Sequence, residues 1–191
     1  MRVETTELPD VLVLLPEPFT DERGFFTRTF DAEIFDAAVG RRGASAEFQQ
    51  DSQSRSRNGT IRGMHGRSGR GEAKLVRCAR GAVLDVLVDI RPGSAGFGKS
   101  IAVTLDDETF RHLYVPPGFL HGFQALTEYA DVCYRIDRPH DSTEDIAVAH
   151  DDPDLGLEWP LPVGPISERD RSAPSWRELL DRLDTSHGRT S

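Results

Sequence analysis

The sequence predicts an all-β domain, a sandwich or barrel with short flanking helices, on three observations. Apolar runs of strand length recur at 11–15, 74–78, 82–90, 100–105, 112–115, 123–126 and 131–136, several of them alternating apolar with polar. Turn-forming segments fall at 92–98 (PGSAGFG), 106–109 (DDET) and 116–119 (PPGF). Helical periodicity is confined to 32–39 and 175–184. A chain of 191 residues fits one domain, 1–191, with a sizeable core.

The elements follow in order. VLVLL (11–15) is an early apolar run, and AEIFDAAV (32–39) has the spacing of a short helix. The stretch TIRGMHGRSGRGEAKLV (60–76) sets Arg62, His65 and Lys74 at the rim of what reads as a strand pair. KLVRC (74–78) then leads through Gly81 into AVLDVLVDI (82–90), and the glycine turn predicts an antiparallel hairpin. Within the second run Leu84, Val86, Val88 and Ile90 share one face, and Asp85 and Asp89 lie on the other. SIAVTL, HLYV, FQAL and DVCYRI supply further strands. SWRELLDRLD (175–184) reads as a second helix, with Pro174 before it and Ser175 as its cap. The residues beyond 184 read as a frayed tail.

Composition narrows the function. The net charge of -9 gives no global attraction to nucleic acid or anionic membrane, so a local cluster of cations fits a small anionic ligand better. Aromatic residues do not interleave the basic ones as in a nucleic-acid binder. Cys78 and Cys133 sit apart in apolar contexts and read as buried free thiols. The N-terminal stretch is acidic and broken by prolines, unlike a signal peptide or a membrane span. A reducing, cytoplasmic setting is the expectation.

PPGFLHGF (116–123) has the proline, glycine and histidine spacing of a second cupin motif, which would return His121 into the mouth of a jelly-roll barrel. A metal-dependent cupin places a second imidazole two residues after the first, followed by a glutamate. Here those slots hold His65, Gly66 and Arg67, with Glu72 further on. Two imidazoles and a carboxylate bind iron or zinc in principle, but Arg67 is a poor neighbour for a divalent cation. His121 fits a hydrogen-bonded core histidine equally well. Proton transfer on an anionic substrate needs a different set. His65 suits a base near neutral pH, Lys74 an enolate stabiliser, Tyr134 a phenolic acid, and Arg23 and Arg62 phosphate contacts.

Several blocks in order carry a resemblance. DERGFFTRTF (21–30), QDSQSRSRNGTIRGMH (50–65), KLVRCARGAVLDVLVDIRPGSAGFGK (74–99), VPPGFLHGF, DDPDLGLEWP (151–160) and SERD (167–170) together resemble the dTDP-4-dehydrorhamnose 3,5-epimerase family, from about residue 8 to 180. The resemblance implies a cupin jelly-roll barrel and a cofactor-free, metal-free enzyme. It would epimerise C3 and/or C5 of a dTDP-4-keto-6-deoxyhexose through an enolate. By it His65 falls on the base, Asp170 on the carboxylate orienting it, Lys74 on the residue near O4, and Tyr134 on the acid of the opposite face. Arg23, Phe26, Arg28, Gln50, Ser52, Arg62 and His121 fall in its substrate-binding blocks. It also implies a homodimer with exchanged N-terminal strands, Arg23 serving the partner's site. The sequence itself offers no nicotinamide fingerprint.

The chain departs from the family pattern where the nucleotide and sugar would be held. Gly66 and Arg67 stand where a tyrosine and a glutamine are usual, Ser52 where an asparagine is, and Arg28 where a glutamate is. A second tyrosine, six residues after the first, gives way near Pro139–His140. His140 stacking on the base and Arg67 contacting phosphate are the expectations for these positions. The competing function classes are a metal-dependent cupin isomerase or oxygenase, and a non-catalytic nucleotide-sugar-binding cupin.

Overall fold

The computed structural model describes residues 1–187. Its two large sheets are antiparallel. One runs in the order β1 (Arg2–Thr5), β2 (Leu12–Leu15), β10 (His112–Val115), β7 (Lys74–Arg80), β12 (Tyr129–Ile136), β5 (Gln50–Arg57). The other runs β13 (Asp145–Ala147), β6 (Ile61–Arg67), β11 (Phe119–Ala125), β8 (Ala82–Asp89), β9 (Ser100–Asp106). Val13, Val76, Leu113 and Val132 of the first sheet share a buried cluster with Val83, Leu87, Leu105 and Phe123 of the second, so the core lies between them. A separate hairpin, β3 (Phe19–Asp21) with β4 (Gly24–Phe26), pairs with neither sheet. The helices are α1 (Ala32–Ala38), α2 (Glu168–Arg171) and α3 (Trp176–His187). No helix among the described residues is long and apolar enough to cross a membrane.

The hairpin expected at Gly81 is absent. β7 pairs with β10 and β12, and β8 with β9 and β11, so the chain changes sheets at that glycine. Gly81 has φ +73°, and a Cβ there would meet Thr127 Oγ1 and the Tyr129 carbonyl at 2.3 Å. Turn chemistry specified a sharp reversal but not that its arms stay in one sheet. The alternation in β8 also divides two buried faces. Val86 and Val88 pack with Trp176 and Leu179 of α3, and Asp85 and Asp89 are fully buried on the other side. Asp89 is satisfied by Arg91 and Ser94, whereas Asp85 meets His121 through Oδ2 and its buried Oδ1 has no hydrogen-bond partner among the described residues. Two further strands, β5 and β13, carry no apolar run for periodicity to detect.

Ser175 caps α3 reciprocally: its hydroxyl accepts from the Glu178 amide at 3.3 Å, and Glu178 accepts from the Ser175 amide at 2.7 Å. The helix continues to His187, beyond the expected end at 184; the rest of the expected tail, 188–191, lies outside the described residues. Cys78 and Cys133 are buried and unpaired. Burial pushes the Cys78 thiol up to about 12, which leaves it an inert packing group.

Candidate active site

Close approach of two strands builds the site. A Cβ on Gly63 would sit 2.5 Å from Gly122 Cα, and one on Gly122 would sit 2.6 Å from Met64 Sδ. These two glycines therefore let β6 and β11 lie unusually near each other. That register sets His65 directly opposite His121. The ladder shifts between His121 and Phe123, a local irregularity next to the histidine pair.

Both histidines are held by carboxylates. Ser167 opens α2, its hydroxyl accepting from the Asp170 amide at 3.1 Å. This single turn carries Asp170, only 4% exposed, against His65, whose Nε2 lies 2.5 Å from Asp170 Oδ1. Burial works to raise the Asp170 carboxyl. The His65 hydrogen bond and charge, with donors from Ser167 and the Gly63 amide, outweigh it and hold the group below the usual carboxylate range. An ionised Asp170 fixes the hydrogen on Nε2 and leaves the lone pair on Nδ1, the atom able to take a proton. His121 Nε2 lies 2.9 Å from the fully buried Asp85.

The opposite wall comes from the other sheet. Tyr134 of β12 has its hydroxyl 3.2 Å from Ser54 Oγ of β5, and its ring meets His121 edge-on at 6.2 Å. Burial is the main cause that pushes the Tyr134 phenol above its ordinary value, with the Asp85 charge adding to it. The Ser54 hydrogen bond and Arg62 act the other way and do not prevail. The phenol therefore stays protonated across the neutral range and is able to donate. Lys74 begins β7, largely buried, with Nζ 2.9 Å from Glu72 Oε1.

The cavity between these walls measures about 880 Å³, in the range of ligand pockets. Arg55, Arg57, Arg62, Arg67, Lys74 and Arg169 line it against Glu72, Asp145 and Asp170, a cationic pocket in a chain of net charge -9. Arg55 is engaged by Asp131 through two nitrogens, and Arg62 donates to Ser56 at 3.0 Å. Of the residues singled out in the sequence, His65, Asp170, Tyr134, Lys74, Gln50, Ser52, Arg62, Arg67, His121 and His140 all line it.

Three do not. Arg23, Phe26 and Arg28 lie outside the cavity of their own chain, on and after the exposed hairpin. Arg23 is 85% exposed and bound to Asp21, and Arg28 pairs with Asp31. The expectation that Arg67 contacts phosphate meets a different arrangement: all three of its nitrogens face protein. Nε lies 2.6 Å from Glu72, Nη1 donates to the Asp141 carbonyl at 3.1 Å, and Nη2 lies 2.8 Å from His140 Nδ1. Burial of a guanidinium demands such partners, and they tie each of the three nitrogens to the protein wall, leaving one further N–H on each Nη. Sequence reasoning missed Ser54, Ser56 and Arg169. The period-two serines of QDSQSRSR, all on one face of β5, were the signal for the first two.

For a metal, the donor set fits poorly. Glu72, the carboxylate of the expected ligand set, is paired with Arg67 and Lys74, two cations that repel a divalent ion placed beside it. No group of three histidine, cysteine or acidic side chains suited to a metal occurs among the described residues.

The sequence profile described as dTDP-4-dehydrorhamnose 3,5-epimerase matches residues 5–178. A dTDP-4-dehydrorhamnose 3,5-epimerase of Salmonella typhimurium is 40% identical over 184 residues, covering 95% of this chain and 97% of its own. Among solved structures, NovW, a 4-keto-6-deoxy sugar epimerase from the novobiocin gene cluster of Streptomyces spheroides, superposes with a TM-score of 0.91 at 34% identity, covering 96% of this chain and 91% of that one. ChmJ, a 3'-monoepimerase from Streptomyces bikiniensis in complex with dTDP-quinovose, gives 0.85 at 32%, covering 94% and 89%. With most of both chains aligned in each case, this protein belongs to the dTDP-4-dehydrorhamnose 3,5-epimerase family.

Proposed function

We propose that the cavity binds a dTDP-4-keto-6-deoxyhexose and epimerises it at C3, C5 or both. The observation that carries this reading is the placement of base and acid on facing sheets. His65 Nδ1, with Asp170 behind it, takes the proton alpha to the C4 ketone. The C–H electrons move into an enolate whose oxygen carries the charge, and the Lys74 ammonium stabilises it there. Tyr134 then returns a proton to the same carbon from the other face, and the enolate collapses to the ketone with that centre inverted. The C4 carbonyl acidifies the carbon, so these steps need no added cofactor. The cationic mouth suits the pyrophosphate, and His140, with its exposed ring at the rim, suits the nucleoside end.

The enzyme is expected to incorporate solvent deuterium at C3, C5 or both of dTDP-4-keto-6-deoxyglucose in D2O, followed by NMR. Exchange at one carbon marks a monoepimerase, and exchange at two a double epimerase. Tight binding of the sugar nucleotide with exchange at neither carbon would sink the reading in favour of a binding protein.

The active form is a homodimer in this reading. The β3–β4 hairpin touches its own chain where Phe25 meets Phe110 edge-on, yet leaves Phe19, Phe25 and Phe26 exposed, an apolar surface that favours a partner. Crossing to a second copy would bury these rings and bring Arg23, Phe26 and Arg28 toward the partner's cavity. Sedimentation is expected to give a dimer, and the double change Phe19→Ser/Phe26→Ser a monomer with little activity. A fully active monomer would refute the exchanged arrangement. The two unpaired thiols suit the reducing conditions of a cytoplasmic enzyme.

A further inference from the structure

A line of three charges runs beside the base: Lys74, Glu72 and Arg67. Lys74 Nζ is 2.9 Å from Glu72 Oε1, and Arg67 Nε is 2.6 Å from Glu72 Oε2. Glu72 Oε2 accepts no aligned hydrogen bond, so it and Arg67 interact mainly through charge. Arg67 lies two residues beyond His65 in β6 and is 7% exposed. Its other nitrogens hold the Asp141 carbonyl and His140, on the segment that forms one side of the cavity.

One carboxylate thus stands between two cations, all three side chains largely buried. With Lys74 as its only partner, Glu72 would cancel the ammonium's charge and draw it away from a substrate oxygen. Arg67 claims one of the two carboxylate oxygens and limits that contact to the other. The trio keeps a net positive charge at the place where an enolate oxygen would form.

We propose that Arg67 is a positioning residue: by engaging Glu72 it presents Lys74 to the carbonyl oxygen of the substrate with its charge incompletely neutralised. The inference rests on the role given to Lys74 above. A purely structural Arg67 and a phosphate-binding Arg67 make different predictions. If Arg67 acts through charge on Glu72, then removing Arg67 alone is harmful, and removing Glu72's charge as well undoes the harm. If it packs the wall, the second change adds damage. If it binds phosphate, its loss appears in KM.

The test measures deuterium exchange and product formation with dTDP-4-keto-6-deoxyglucose for four variants, with melting temperature for each. Lys74→Gln is expected to lower kcat about 100-fold or more, as removal of an oxyanion donor does. Arg67→Gln is expected to lower kcat about tenfold with KM changed less than about threefold, the scale of coupling within one charge network. Arg67→Gln/Glu72→Gln is expected to recover to within about threefold of the parent, again on the scale of network coupling. Arg67→Lys, which keeps a cation beside Glu72, is expected to retain most of kcat. It decides together with the double variant should Arg67→Gln not fold. A double variant as slow as Arg67→Gln at an unchanged melting temperature, a loss confined to KM, or an Arg67→Lys as slow as Arg67→Gln overturns the inference alone. An undiminished Lys74→Gln overturns the Lys74 role and this inference with it.

Discussion

Replacing His65 by Ala is expected to lower kcat by about 10²–10⁴-fold and to abolish deuterium incorporation at every carbon, with the fold intact. The loss is large because the other cavity imidazoles are placed differently: His121 is 5% exposed and His140 stands at the rim. His121 is buried with one ring nitrogen against Asp85, and His140 accepts from Arg67. Stability should change little, since His65 is only half-buried and its partner Asp170 keeps donors from Ser167 and the Gly63 amide. Asp170→Asn should cost less than the loss of His65, because the imidazole remains and only its tautomer and orientation are disturbed. Asp170 is held below its ordinary value, so it stays ionised at and above about pH 4 and loses its charge only as the pH falls further. Acid inhibition above that pH therefore has another source. A His65→Ala enzyme that still exchanges within tenfold of the parent would remove this residue from the base role.

The second large effect belongs to Tyr134, and it separates two half-reactions. In Tyr134→Phe, formation of the inverted product is expected to fall by about 10²–10⁴-fold, while solvent deuterium still enters the substrate with retention. The reason is geometric: His65 remains able to remove the proton and return a solvent-exchanged one from its own side. Only the opposite face has lost its donor. Burial raises the phenol above its ordinary value of 10, so the acid form persists to at least that pH and alkaline loss of inversion through Tyr134 begins only beyond it. Exchange falling as steeply as inversion would mean that Tyr134 assists the first step and is not the opposite-face acid.

The sequence made the barrel readable where strands carry apolar residues on at least one face. HLYV and DVCYRI lie within strands at their expected places, and AEIFDAAV forms its helix within a residue. Apolar periodicity was mute over β5, whose serines and arginines line the cavity and carry no core-facing pattern. The sequence misled at Gly81, where the glycine reports a backbone conformation and nothing about which sheet receives the next strand. Motif order brought out His65, Lys74, Tyr134 and Asp170, far apart in the chain and gathered on one cavity. Arg67 was singled out too, but its engagement with the protein wall could not be read in this way. Its partners Glu72, His140 and Asp141 are fixed by the packing of β6 against the segment before β13, a contact that sequence spacing does not encode. The hairpin residues Arg23 and Phe26 raise the same difficulty one level higher, since a single chain leaves them facing solvent.

The change of sheet at Gly81 has an evolutionary side. His65 reaches the cavity from one sheet and Tyr134 from the other, so the gap between them belongs to the packed layer that both sheets share. Leu87 and Val132 in that layer fix how far apart the two walls stand. A methylene gained or lost there alters the gap without touching a single cavity residue. The distance between the two walls is thereby exposed to drift in the core, at positions that never meet a ligand.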